Sequence, residues 1–433
     1  MNALQVVRDR IAGLEKEMSE YPDLWRMFSH CFVNTLETTV NQSEGDTFIL
    51  TGDIHAMWLR DSTAQVMHYL RFADDEAVAV LIEGLLARQA KNILLDPYAN
   101  AFNREPSSYK PYDDRPRASD WVWERKYEID SLCNPIHLAW AFYEKTGREG
   151  FLTENFHKAL KTVADVFRTE QHHADSPYRF ERSNCPASDT LCNGGMGAPV
   201  ADTGMTWSGF RPSDDACQYG YLVPSNLFAM QEMRHAAVFA KKLNDPELAK
   251  LAETLADQIE AGVKQYAHVN HPKFGDILAY ETDGMGHYNL MDDANVPSLL
   301  GLPYLGICAS DDPLYQRTRK FVLSKENPYF YAGAQAQGVG SPHTPNGYIW
   351  PIALCVQGMT TSDIDEQARL LDALMHTHAD CFCMHESFDP ADPAKFTREW
   401  FAWANSMFGE FVYRLYEAGT LHEVLEKAKA LRK

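Results

Sequence analysis

Apolar residues return at every third or fourth position along much of this chain, and rarely at every second. Leu248, Leu251, Leu255, Ile259 and Val263 share one helical face. Leu227, Met230 and Ala237 outline a helix ahead of them. Asp245-Pro246 between the two supplies a start signal, with Asp as cap and Pro in the first turn. Residues 221–267 therefore read as a helical hairpin. The pattern recurs from Ser362 to His378 through Ile364, Ala368, Leu371 and Met375, and again through Leu421, Val424, Leu425 and Leu431. Further helical stretches lie near 3–20, 22–40, 62–94, 131–146, 153–170, 310–323 and 398–417. With 62–94 divided in two, this gives about twelve helices in antiparallel pairs. Only Phe48 to Leu50 and Trp121 to Trp123 read as short strands. Strands and helices do not alternate as a doubly wound sheet requires. No fixed-period repeat suggests a solenoid, and no Pro/Ser/Gly-rich linker divides the chain. The expectation is all-α: a closed toroid of two concentric helix rings.

The connections are less ordinary than the helices. Residues 98–128, 172–220, 268–309 and 327–350 are long and rich in Trp, Tyr, Asn, Asp and Gly. Loops of that length are uncommon unless they are functional or disordered, and these are not low-complexity tracts. They are expected to be ordered and to build a site on one face of the scaffold. Charge narrows what that site takes. Sixty acids against forty basic residues leave a net charge of −20. No Lys/Arg cluster is present to displace counterions, so nucleic acid and anionic membrane surfaces are excluded as default partners. No apolar run approaches the ~18 residues of a membrane span. The amphipathic N-terminus lacks the features of a signal peptide. Nine scattered cysteines without a CxxC pair read as reduced thiols of a cytoplasmic protein, with Cys185 and Cys192 as a minor candidate disulfide.

Six segments concentrate chemistry. The first, TGDIHAMWLRDST at 51–63, places Asp53, His55, Trp58, Arg60 and Asp61 just before a helix that Asp61 or Ser62 can cap. Its plain reading is a cap with a buried Arg60–Asp61 or Arg60–Asp53 pair. Its functional reading is a sugar subsite, with carboxylate and guanidinium gripping hydroxyl pairs under an indole platform. The second, Trp207 to Cys217, holds the doublet Asp214-Asp215. Neighbouring carboxylates repel, so one needs a raised pKa or a cation such as Arg211. The alternatives are a general acid or an N-cap by Ser213 or Asp214.

In the third, Met384 to Asn405, Glu386 lies in a loop, whereas Glu399 sits in a helix start and shares a helix face with Trp403. Glu386 is therefore preferred as a catalytic carboxylate, and Arg398 stands beside Glu399. Glu128 and Asp130, at a helix start, form the fourth. Asp292, Asp293 and Asn295, together with His343, Thr344 and Trp350, complete the set. Acid–aromatic loops on a helical frame are what carbohydrate recognition requires.

Metal and cofactor readings find little support. The run of His376, His378, Cys381, Cys383 and His385 matches no familiar zinc spacing. Asp292-Asp293 is followed by no EF-type loop. No GxSxG, P-loop or GxGxxG motif occurs. A lyase groove would be rich in Arg and Lys, and these segments are acidic. Another glycosidase on a helical toroid, or a carbohydrate-binding protein without catalysis, remains an alternative.

Taken together, TGDIHAMWLRDSTAQV at 51–66, YEIDSLCNP at 127–135, GFRPSDDAC at 209–217, SPHTPNGYIWP at 341–351, and MHESF with FTREWFAWANSMFGE between 384 and 410 resemble glycoside hydrolase family 125, the metal-independent exo-α-1,6-mannosidases of bacteria and fungi. The resemblance runs nearly end to end. It implies an (α/α)6 barrel over 1–433 as one catalytic domain, no cofactor, and a mannose-containing oligosaccharide as partner, cleaved with inversion. It places the general acid at Asp214, with Asp215 a near-equal alternative, and the base at Glu386, with Glu399 behind it. Asp53, Arg60 and Asp61 are then expected to hold hydroxyls of the terminal sugar. Trp58, Trp207, Trp400 and Trp403 are candidate walls. The sequence leaves the oligomeric state open.

Overall fold

The apolar faces read from the sequence close against one another in pairs, outer helix followed by inner helix. The structure is a computed structural model that describes residues 2–432. Met1 and Lys433, the ends of the expected 1–433 domain, lie outside the described residues. Helices Leu59–Met67, Ile129–Thr146, Val223–Lys242, Pro351–Met359 and Ala402–Glu417 are buried on most of their surface and form the inner ring. Leu59–Met67 packs between Ile129–Thr146 and Ala402–Glu417. The ring continues to Val223–Lys242 on one side and Pro351–Met359 on the other. Pro22–Thr38, Glu76–Leu95, Glu154–Glu170, Pro246–Tyr266, Pro313–Val322 and Ile364–His376 precede the six inner positions and lie outside them. This is the (α/α)6 barrel.

One inner position is not helical. Residues 297–307 fill it with tight turns. Gln231 Nε2 ties this segment to Val223–Lys242 by donating to the Leu305 carbonyl at 2.7 Å. Tyr304 ties it to Ala402–Glu417 by donating to Glu410 at 2.9 Å. Pro297, Gly301, Pro303 and Gly306 explain the loss of helix, since each removes a donor or weakens helical propensity. Helix Pro351–Met359 was absent from the sequence expectation for the opposite reason. It is buried on nearly every side, so its apolar residues show no period.

The Asp245 cap forms as expected, accepting from the Leu248 amide at 2.9 Å. The expected cap by Asp61 or Ser62 does not. The helix begins earlier, at Leu59, with Trp58 at its cap position and no side-chain cap. Asp61 is thereby turned off the helix end. The long loops are stapled by short antiparallel strands. Met57–Trp58 pairs with Ala101–Phe102, which pairs with Val122–Glu124. Ser387–Phe388 pairs with Phe396–Thr397. These ladders set the loop residues over the inner helix ends.

One apolar cluster runs from Ala3 to Ala428. Trp207 belongs to it and is 1 % exposed. Gly197 and Gly220 lie flush against its indole; a Cβ on Gly220 would come within 2.2 Å of the ring. Cys185 and Cys192 are both free thiols, so the candidate disulfide is not formed. Among the described residues, no helix is long and apolar enough to cross a membrane.

Candidate active site

Three chain segments meet over the inner ring at one small cleft. Thr51, Trp58, Arg60 and Asp61 come from the first motif. Pro212, Ser213 and Asp214 come from the second. Glu386, Arg398, Phe401 and Trp403 come from the third, and Asn295, His343 and Trp350 close the rim. Two larger surface grooves differ in kind. Their acids are tied to surface arginines: Glu37 to Arg8, Glu366 to Arg319 and Asp372 to Arg432.

Asp214 is presented by a turn that closes on itself. The Arg211 amide donates to the Asp215 carbonyl at 2.8 Å, and the Asp214 amide donates to the Arg211 carbonyl at 2.9 Å. Asp214 adopts φ +70°, a left-handed conformation that Asp tolerates better than most residues. Lys126 Nζ braces the turn by donating to the Asp214 carbonyl at 2.8 Å. Neither Ser213 nor Asp214 caps a helix; Ser213 Oγ donates to Asp293 at 2.8 Å. The doublet is split by this geometry. The Asp214 side chain is 24 % exposed and lines the cleft. Asp215 turns away and accepts from His343 Nδ1 at 3.0 Å.

Arg60 is the electrostatic centre. Its Nη1 donates to Glu128 at 2.6 Å and to Asp130 at 3.1 Å, and its Nη2 donates to Asp214 at 3.1 Å. Asp61 lies 3.7 Å from its Nε and accepts a short hydrogen bond from Thr51. Burial disfavours the charge on Arg60, but Glu128, Asp130, Asp214 and Asp61 outweigh it and raise its pKa well above the ordinary value. Burial lifts Asp130 to about 6 against the pull of Arg60. It also lifts Asp61 and Glu128. Asp214 goes the other way. Burial opposes its charge, yet Arg60, a hydrogen bond with Glu128 and Lys126 together hold it below the usual carboxylate range. Of the two alternatives for the doublet, the structure supplies the cation, though not Arg211: Arg60 stands against Asp214 and His343 against Asp215.

Glu386 immediately precedes strand Ser387–Phe388 and is 7 % exposed. Arg398 Nη1 donates to its Oε1 at 3.3 Å. Burial lowers the pKa of His343, but its hydrogen bond with Asp215 and the charges of Asp215, Asp214 and Glu386 push it up to about 9. Its ring is therefore charged at neutral pH. The indole N–H of Trp58 and the Nε of Arg60 are buried without a partner, and both residues line the cleft.

Several expected site residues lie elsewhere. Arg211 is no partner for the doublet, because its Nε donates to Glu281 at 2.6 Å. Trp207 is core, stacked on His173 with ring centroids 3.5 Å apart. Trp400 donates to Asn34 at 2.7 Å, outside the cleft. Asp292 is fully buried and accepts from the Leu299 and Leu300 amides at 2.8 and 2.9 Å, so it anchors the turn segment. Glu399 and His55 are exposed and do not line the cleft. Asp53 pairs with Arg398 and not with Arg60. Glu128 and Asp130 stand behind Arg60, out of direct reach of a ligand. Sequence reasoning missed Ile54, Pro212 and Phe401 on the wall, and Asn100 and Lys126 behind Asp214. Nothing in the sequence marks Asn100 or Lys126, since a Lys beside an acidic motif normally reads as solvated.

The family model described as metal-independent α-mannosidase (glycoside hydrolase family 125) matches residues 21–413. A Schizosaccharomyces pombe protein, the meiotically up-regulated gene 157 protein, is 38 % identical over 427 residues, covering 93 % of this chain and 84 % of its own length. A Streptococcus pneumoniae protein from a family of metal-independent α-mannosidases, solved as a non-productive complex with α-1,6-mannobiose, is 46 % identical. It superposes with a TM-score of 0.93 over 95 % of this chain and 98 % of its own. A bacterial glucoamylase bound to acarbose shares the fold at a TM-score of 0.58 and 13 % identity, over 92 % of this chain and 55 % of its own.

Proposed function

The chain belongs to glycoside hydrolase family 125, the metal-independent α-mannosidases, and from that membership we propose that it is an exo-acting α-1,6-mannosidase that removes a non-reducing terminal mannose with inversion. The observation that carries this reading is that Asp214 and Glu386, far apart in sequence, line one small cleft, each beside an arginine. Asp214 protonates the departing glycosidic oxygen. Glu386 takes a proton from water as its oxygen attacks the anomeric carbon from the opposite face. An inverting pair leaves room for that water, with carboxyl groups roughly 6.5–9.5 Å apart.

Thr51, Arg60, Asp61 and Asn295 supply donors and acceptors for sugar hydroxyls. Trp58, Trp350, Phe401 and Trp403 supply apolar faces. A cleft this small suits one terminal sugar better than an extended chain. The α-1,6 linkage is supported by the disaccharide held by the pneumococcal relative. N-linked glycans are the substrate source we favour, because the pneumococcal relative's family is described through the processing of N-linked glycans. One continuous core from Ala3 to Ala428 supports residues 1–433 as one catalytic domain. Nine free cysteines accord with a cytoplasmic location.

The test is a screen of α-1,2-, α-1,3- and α-1,6-mannobiose, with proton NMR of the first-formed mannose. Cleavage of the α-1,6 isomer to β-mannose is expected. First-formed α-mannose would exclude inversion, and preference for another isomer would exclude the linkage.

A further inference from the structure

Asp293 is buried between the turn that carries Asp214 and a second residue of the cleft, Asn295, and its two carboxyl oxygens serve different segments. Its Oδ2 accepts from Ser213 Oγ at 2.8 Å, one residue before Asp214. Its Oδ1 accepts from the Asn295 main-chain amide at 3.3 Å and from Asn295 Nδ2 at 3.1 Å. Ser213 and Asn295 both line the cleft. The segment that bears Asp293 is itself fixed on either side. The Asp292 amide donates to Asn327 Oδ1 at 3.2 Å, and the Ala294 amide donates to the Gly340 carbonyl at 3.1 Å.

These bonds decide which end of the Asn295 side chain is free. A carboxamide has one donor end and one acceptor end. The Asp293 oxygen beside it already takes a backbone N–H, so it acts as an acceptor and draws the NH2 end. The carbonyl end of Asn295 is left for the cleft. The carboxylates that line the cleft, Asp61, Asp214 and Glu386, each stand beside an arginine. Asn295 differs from them in offering a neutral oxygen whose own NH2 is tied to a carboxylate. Its neighbour Asp292 takes no part, because its two oxygens accept from the Leu299 and Leu300 amides.

We propose that Asp293 is a positioning residue that turns the Asn295 carbonyl oxygen toward the terminal sugar, where it accepts from one hydroxyl, while the other Asp293 oxygen steadies the turn that carries Asp214. The inference rests on the reading of the cleft as the seat of a terminal mannose. A sugar that lacks this hydroxyl leaves the oxygen unpaired, so the amide selects among sugars by what they donate.

The test measures kcat/KM on α-1,6-mannobiose and on analogues whose terminal residue lacks the hydroxyl at C2, C3, C4 or C6. In the parent, loss of the hydroxyl that meets Asn295 is expected to cost about tenfold. In Asn295→Ala the same deletion is expected to cost less than about twofold, with the other deletions costing what they cost the parent. Asp293→Ala is expected to abolish the cost at the same carbon. Asp293→Asn, which still offers one oxygen to both Asn295 donors, is expected to keep it. An equal loss on all substrates in Asp293→Ala would mean a structural role only and would overturn the proposal. If Asn295→Ala abolishes one cost and Asp293→Ala abolishes none, the positioning role fails alone. If the parent cleaves no mannobiose, or no deletion matters to it, the reading of the cleft fails as well. Should Asp293→Ala not fold, a crystal structure of the parent with mannose bound decides. Asn295 Nδ2 toward Asp293 and Oδ1 within hydrogen-bond reach of a sugar hydroxyl are expected, and an amide turned round, or one that no hydroxyl reaches, overturns the proposal.

Discussion

Arg398 holds Glu386 from a strained backbone: its Nη1 stands 3.3 Å from Glu386 Oε1 while its own φ is +39°. A non-glycine residue pays for that conformation only where its surroundings fix it. Here the fixing groups are the strand pair Ser387–Phe388 with Phe396–Thr397, the Glu386 amide that donates to the Arg398 carbonyl, and Asp53 on the far arm of the guanidinium. The arrangement aims one planar fork at two carboxylates. Lysine cannot reproduce a fork. Arg398→Lys is expected to lower kcat/KM on α-1,6-mannobiose by about 10- to 100-fold, mostly through kcat. Steady-state kinetics with unchanged circular dichroism check it; an unaltered kcat would mean that Arg398 does not orient Glu386.

The geometry separates the paired candidates. Asp214→Asn and Glu386→Gln are each expected to lose about 10²- to 10⁴-fold in kcat on mannobiose. Glu399→Gln is expected to retain most activity, since Glu399 is exposed outside the cleft. A Glu399→Gln variant as weak as Glu386→Gln would reverse the choice of base.

His343 gives a dependence on pH. Its folded pKa of about 9 lies above the ordinary histidine value of 6.5. A raised pKa means that the folded state binds the proton more tightly, so the stabilisation is complete below pH 6.5 and disappears as pH rises through 9. The stability gap between the parent and His343→Gln should therefore be largest at pH 6 and should close by pH 10. Urea unfolding at a series of pH values measures it, and a gap that widens with pH would refute the charged His343–Asp215 pair.

Gly220→Ala tests the seating of Trp207. The added methyl meets the indole at 2.2 Å, and the ring is already packed against Gly197 and stacked on His173. Overpacking of this kind costs about 1–3 kcal/mol. A fall in the denaturant midpoint of that order is expected, with KM for mannobiose unchanged because Trp207 is outside the cleft. A selective rise in KM at full stability would return Trp207 to the wall of the site.

Helices were legible wherever one face meets the core and the other meets water, as at Leu248 to Val263 or Ile364 to Met375. They were illegible at Pro351–Met359, where burial on all sides erases the period. The site was legible as motifs. Trp58, Arg60, Asp61, Asp214, Glu386 and Trp403 do converge on one cleft. Their partners were not legible, because pairing depends on which loops the short ladders bring together. Arg211 and Asp214 are three residues apart, yet Arg211 bonds Glu281 while Asp214 bonds Arg60 from a distant motif. The cations of the doublet come from distant segments, Arg60 and His343, for the same reason.

The turn segment at 297–307 has a consequence for how the barrel comes apart. A ring of helices resists opening because each member must lose a run of backbone hydrogen bonds at once. This stretch has only scattered turn bonds, among them Gly301 to Ser298 and Leu305 to Gly301, with Asp292 holding its first amides. Local opening should therefore cost least there, and its amides should exchange with deuterium before those of the neighbouring inner helices. Asn295, two residues upstream, lines the cleft. Warming should thus loosen the sugar's seat before the fold as a whole gives way, and catalysis should fail at a lower temperature than the protein melts.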